Sequence, residues 1–120
     1  MTSVLNVDTI AAKNGTSPVT LTKQEASKAW VQATDAAVLS DSFNISSGTD
    51  NTTGDYTYAL SNNMGNNQWS QTCNAIHAEI AQVKNATLLT SAISVFVFSR
   101  ADSFAAADQR NFATLHGDLA

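Results

Sequence analysis

A chain of 120 residues fits one domain, small enough that extra burial in an oligomer would help it. Its formal charge of −4, with four Lys and two Arg scattered along it, supplies no basic patch to neutralise phosphates, so nucleic-acid binding is not expected. Ser, Thr and Asn account for 38 residues, charged residues for only 13%, and the one proline is Pro18. That polar, uncharged composition suits exposed strands and turns better than long helices.

In chain order, "SVLNVDTIAA" reads as a first strand, followed by a Lys13-Asn14-Gly15 turn and a second strand in "PVTLTK", where Val19 and Leu21 alternate with Thr20 and Thr22. Residues 1–24 are therefore expected to form an N-terminal β arm, and residues 25–120 a knob. The N-terminus has no charged start and no apolar run long enough for a signal peptide, so the reading is a protein made in a cytoplasm without an export signal. No segment approaches the roughly 20 apolar residues of a membrane span, and no membrane insertion is expected. The N-x-S/T matches at Asn14, Asn44, Asn51 and Asn85 follow from Asn and Thr abundance.

"TKQEASKAW" has a capping-box spacing at Thr22 and Glu25, with Ala26, Ala29 and Trp30 on one helical face. One short helix is expected there, held by packing of Trp30. "DSFNISSGTDNTTGDYTYAL", residues 41–60, reads as two alternating strands around a polar loop, with Phe43 and Ile45 on one face of the first. Tyr56, Tyr58 and Leu60 share a face of the second, and Gly54 sits in the loop. "SNNMGNNQW" is an Asn/Gly loop ending at Trp69. Its Asn62, Asn63, Asn66, Asn67 and Trp69 form a candidate exposed recognition surface of the kind that stacks on sugars, the favoured alternative being an ordinary connection with Trp69 in the core.

In "WSQTCNAIHAEIAQV", Ile76, Ala78 and Ile80 alternate as in a strand, yet Ile76, Ile80 and Val83 recur at helical spacing; the β context favours a strand over residues 74–85. "SAISVFVFS" places Ile93, Val95 and Val97 on one face and Phe96 and Phe98 on the other. Both faces call for burial: one is expected to pack into the core, and the other, whichever it is, to be covered by a neighbouring subunit. Trp30, Ile93, Val95, Phe96, Val97 and Phe98 are thus the expected interface of a homotrimer. The last strand is "NFATLHG", with Phe112, Thr114 and His116 on one side and Ala113 and Leu115 on the other.

Catalytic and metal motifs are not found. "TDNTTGD" superficially resembles a calcium loop, but its Gly has the wrong offset from Asp50 and Ser61 stands where a closing Glu belongs, so it reads as a hairpin turn. His77 and Glu79 could begin a zinc site or an acid/base pair, but His116 is the only other histidine and neither H-E-x-x-H nor P-C-x-x-C is present. Cys73, the single cysteine, excludes an intrachain disulfide and reads as a small buried residue. None of the thirteen serines lies in G-x-S-x-G, and no phosphate-cradling glycine loop occurs. No enzyme and no cofactor are expected.

The ordered series "SVLNVDTIAAKNGTSPVTLTKQ", "KAWV", "DSFNISSGTDNTTGDYTYAL" and "HGDLA" resembles a family of small tail-fibre-like structural proteins of tailed bacteriophages, notably phages of marine bacteria. The similarity runs through nearly the whole chain in order, with residues 68–85 matching poorly. It implies an all-β, jelly-roll-like β-sandwich knob on an N-terminal attachment arm, assembled as a trimer. It also implies a place on the virion surface after assembly in the host cytoplasm, other virion proteins as partners through the arm, and a host surface glycan or protein as target. A head decoration protein that clamps the capsid lattice is the alternative within that class, and a cellular lectin-like module the alternative outside it.

Overall fold

In a computed structural model of the chain, residues 26–77, 79–84, 88–100 and 103–117 are described. Among them are eight strands, β1 (Ala29–Ala33), β2 (Leu39–Phe43), β3 (Ile45–Thr52), β4 (Asp55–Leu60), β5 (Ser70–Ala75), β6 (Glu79–Val83), β7 (Ala92–Ser99) and β8 (Asn111–His116). They form two four-stranded antiparallel sheets, ordered β2-β1-β8-β5 and β3-β4-β7-β6. This is the all-β sandwich expected from the composition and alternation. Its strand order differs from the wound double Greek key of a jelly roll, because three pairs of sequence neighbours, β1 with β2, β3 with β4 and β6 with β7, lie side by side.

The alternation in the sequence chooses the core. Ala29, Val31 and Ala33 of β1, Tyr56, Tyr58 and Leu60 of β4, Ile93, Val95 and Val97 of β7, and Ala113 and Leu115 of β8 all point between the sheets and are buried. The large residues come from β4 and β7 of one sheet, while alanines from β1 and β8 of the other leave room for the two tyrosine rings.

Two corners close the long edges of the sandwich. At Asn44 (φ 57) the chain leaves β2, an edge strand of the first sheet, and enters β3, an edge strand of the second. At Ile76 and His77 (φ 63) it passes likewise from β5 to β6. Edge strands are thereby joined through the chain instead of being presented as free pairing surfaces.

The Asn44 corner corrects one expectation. Phe43 and Ile45 do not share a face: Ile45 is in the core, while Phe43 stands 54% exposed on the outside of the first sheet. Asn tolerates the left-handed conformation because its short side chain bonds locally. Here Asn44 Nδ2 donates to the Lys28 and Asn62 carbonyls (3.0 and 3.1 Å), and its Oδ1 accepts from the Asn62 N–H at 2.7 Å.

The expected short helix is corrected in its described part. Ala29 and Trp30 belong to β1, paired with Leu115 and Thr114 of β8, so strand pairing prevails over the helical spacing. Thr22 and Glu25, and both strands of the expected arm, lie outside the described residues. Ser70–Ala75 and Glu79–Val83 are extended, as the β context indicated, but form two strands, β5 and β6, separated by the His77 corner.

Candidate functional site: a pocket at one pole of the sandwich

Strand directions give the sandwich two unlike poles. Ala26, the Asn44 corner, the 61–69 loop, residues 88–91 and Gly117 lie at the pole where the described chain begins and ends, called here the terminal pole. The β1–β2 turn, the Thr53–Gly54 turn, the Ile76–His77 corner and residues 103–110 lie at the other, the pocket pole.

The pocket opens at the end of the first sheet, where β1 and β5 finish and β8 begins. It has a volume of about 400 Å³ and is lined by Thr34, Asp35, Ile76, Gln109 and Arg110. These residues are far apart in sequence, and the pairing of β8 with β1 on one side and β5 on the other gathers them.

Each wall is held by the backbone behind it. The β1–β2 turn is closed by Thr34 N–H to Val38 O (2.9 Å) and Ala37 N–H to Thr34 O (3.2 Å). Thr34 Oγ1 also accepts from the Ala36 and Val38 N–H groups. The turn lies directly on β3, because a Cβ at Gly48 would fall 2.2 Å from the Ala37 carbonyl oxygen. Ile76 is tied to the opposite wall by its N–H to the Arg110 carbonyl (3.2 Å).

The Tyr56 hydroxyl joins the walls from below. It lies 3.0 Å from the Asp35 carbonyl and 3.2 Å from Asp108 Oδ1, and it accepts from the Gln109 N–H at 3.1 Å. The same Asp108 oxygen receives the Gly54 N–H at 2.7 Å, and Gly54 occupies φ 71, where a Cβ would also meet the Val97 carbonyl at 2.5 Å. Burial raises the Tyr56 phenol well above its ordinary value, keeping it neutral and able to donate. Beneath it, the Tyr58 hydroxyl donates to Asn111 Oδ1 at 2.6 Å, and Asn111 Nδ2 donates to the Gln109 carbonyl at 3.1 Å. Burial pushes the Tyr58 phenol up to about 12.

Among the described residues, the side chains of Asp35, Gln109 and Arg110 have no protein hydrogen-bond or ion-pair partner, and the one ion pair is Lys84 with Asp55, on the outer face of the second sheet. The pocket therefore offers a carboxylate, a carboxamide and a guanidinium beside the apolar side chain of Ile76. No nucleophile with an activating base lines it. Burial pushes the Cys73 thiol up to about 11, so it is protonated near neutral pH, as suits a structural cysteine.

Candidate residues from the sequence fall elsewhere. The six expected interface residues are dispersed: Ile93, Val95 and Val97 are fully buried within one chain, because their face of β7 packs against the other sheet. Phe96 and Phe98 stack on the outer face of the second sheet, ring centroids 4.6 Å apart, and Trp30 stands on the outer face of the first, opposite Phe43. Only these last three remain accessible to a partner. Asn62, Asn63, Asn66 and Asn67 are exposed at the terminal pole, but Trp69 is not part of that surface. It is 8% exposed and donates Nε1–H to the Leu89 carbonyl at 3.2 Å.

"TDNTTGD" is a hairpin connecting β3 and β4, with Asp55 engaged by Lys84 and Asn51. His77 and His116 lie at opposite poles, separated by the length of β8, about 17 Å at 3.3–3.4 Å per residue, so they do not share a site. No group of three His, Cys, Asp or Glu suited to a metal ion occurs among the described residues.

Comparison with protein-family models, with curated proteins and with solved structures finds no match to this chain.

Proposed function

We propose that the chain is a non-enzymatic structural protein of a tailed-phage virion, a surface-exposed, trimeric tail-fibre or tail-tip-like protein that attaches the particle to its host. The ordered resemblance of residues 3–24, 28–31, 41–60 and 116–120 to phage tail-fibre-like proteins carries this reading. The polarity of the sandwich supports it. Residue 26 leads from the proposed arm into the terminal pole, so a knob fixed to the particle through residues 1–24 turns its pocket pole outward.

The trimer belongs to the same proposal, with its contact moved to the accessible aromatic residues. Phe96 and Phe98, flanked by the exposed Ile80 of β6, form an apolar patch on the outer face of the second sheet that a sister chain would cover. A head decoration protein is the second reading, favoured by the described residues, which form a sandwich with no fibrous shaft among them.

Gold-labelled antibody on particles that carry the protein separates the two. Label at the tail is expected, and label confined to the head would replace attachment by decoration. Deleting residues 1–24 is expected to leave a folded knob that no longer joins particles; retained incorporation would contradict the arm's role.

A further inference from the structure

The pocket has room for a small ligand and a lining of mixed polarity. Its volume of about 400 Å³ lies near the lower end of small-molecule sites, which run from about 300 to 1,000 Å³, and so suits one sugar ring better than a long oligosaccharide. Its walls are fixed before any ligand arrives, since the Tyr56 hydroxyl bonds backbone atoms of both Asp35 and Gln109. That arrangement lowers the ordering cost of binding.

Charge supplies the second constraint. The chain is acidic overall, at −4, and Lys84 is occupied by Asp55. Arg110 lines the pocket without a described acceptor, and the planar fork of a guanidinium matches a carboxylate through two parallel hydrogen bonds. In the same lining, the Asp35 carboxylate and the Gln109 carboxamide suit hydroxyl groups, and Ile76 offers an apolar surface for the C–H face of a ring. A free amino acid fits less well: its ammonium and carboxylate would use Asp35 and Arg110 but would bring no ring hydroxyls to Gln109 and no ring face to Ile76.

We propose that the pocket lined by Thr34, Asp35, Ile76, Gln109 and Arg110 binds a single carboxylate-bearing pyranose, a hexuronic acid unit of a surface polysaccharide. Its carboxylate meets Arg110 and its hydroxyls meet Asp35 and Gln109. The polysaccharide setting rests on the attachment reading above; the chemistry rests on the pocket.

The test is a titration of the ¹⁵N-labelled full chain with methyl glucuronoside and methyl galacturonoside, followed by amide shifts. Matching neutral methyl glycosides and glutamate serve as the contrasting probes. Saturable shifts at Thr34, Asp35, Ile76, Gln109 and Arg110 are expected with at least one uronoside, with the neutral glycosides and glutamate at least about tenfold weaker. Arg110→Gln should weaken uronoside binding by about tenfold or more while resonances away from the pocket stay in place, since Arg110 is exposed. Neutral glycosides binding as tightly as the uronosides, glutamate binding more tightly, or no saturable shift with any probe would overturn the proposal. Uronoside binding combined with head-only label on particles would keep the pocket assignment and remove attachment. Tail label combined with a silent titration would keep attachment and remove the pocket assignment.

Discussion

The two poles of the sandwich are assembled from the same kinds of residue to opposite effect. At the terminal pole the loops close over themselves. Met64 and Trp69 are buried beside Gly117, the Met64 N–H bonds to Thr90 O (2.8 Å), and the Asn44 side chain serves both Lys28 and the start of the 61–69 loop. At the pocket pole the backbone is equally well bonded, yet Asp35, Gln109 and Arg110 are left facing solvent around a cavity. Where side chains are used up in holding the backbone, the pole is structural. Where the backbone is held from beneath by Tyr56 and Asp108, the side chains above are free to meet a ligand.

That contrast can be broken from either side. The largest effect is expected at the terminal pole, where Trp69→Ala should cost about 3–5 kcal/mol in urea unfolding, because it empties a buried site and frees the Leu89 carbonyl. Asn44→Ala should cost about 2 kcal/mol, through the left-handed corner and the lost side-chain bonds. Asn44→Gly, which keeps the corner accessible, should cost less. Beneath the pocket, Tyr58→Phe should cost about 1–2 kcal/mol by leaving buried Asn111 Oδ1 without its donor. Smallest of all, Asp35→Ala and Arg110→Ala should change stability by less than about 0.5 kcal/mol, as exposed positions whose side chains have no partner among the described residues do. Thermal melts that ranked Arg110→Ala beside Trp69→Ala would erase the distinction between the poles.

Alkaline titration sharpens the same picture. The Tyr58 phenol rises from 10.0 in the unfolded chain to about 12 in the fold, so the neutral form is favoured by folding. Its contribution is fully present below pH 10 and is lost as pH climbs towards 12. Cys73 adds a similar loss between pH 9 and 11. Phenolate absorbance should therefore rise together with unfolding above pH 10, while iodoacetamide should modify Cys73 at pH 8 far more slowly in the native protein than in urea.

Much of the core was legible because alternation has only one physical reading when a face is fully apolar. The shared faces of Tyr56, Tyr58 and Leu60, of Ile93, Val95 and Val97, and of Ala113 and Leu115 were legible on that basis, and all of these residues are buried. The aliphatic face of β7, expected at a subunit interface, is instead buried within the chain. Phe96 and Phe98 are partly covered within the sheet, and the aliphatic face needs no partner because the opposite sheet supplies it. Positive φ at Asn44 and His77 breaks the period of two at a single residue and moves Phe43 and Ile80 to outer faces, which no window average reveals. The pocket was not legible at all. Thr34, Asp35, Ile76, Gln109 and Arg110 form no motif, and only the β5-β8-β1 register brings them together. One faint signal existed: Gln109-Arg110 puts a cation just before an apolar strand in a chain with few cations.

The assignment of the pocket pole as the outward, recognising end is tested most directly by locating the protein on intact particles with a label attached at that pole. A cysteine introduced by Thr53→Cys in a Cys73→Ser background, coupled to gold and imaged by electron microscopy, gives the measurement. Gold at the outer extremity of the tail, farther from the particle axis than gold at an Asn66→Cys site on the terminal pole, is the predicted result. Gold confined to the head, or the two labels in reversed order, would contradict it.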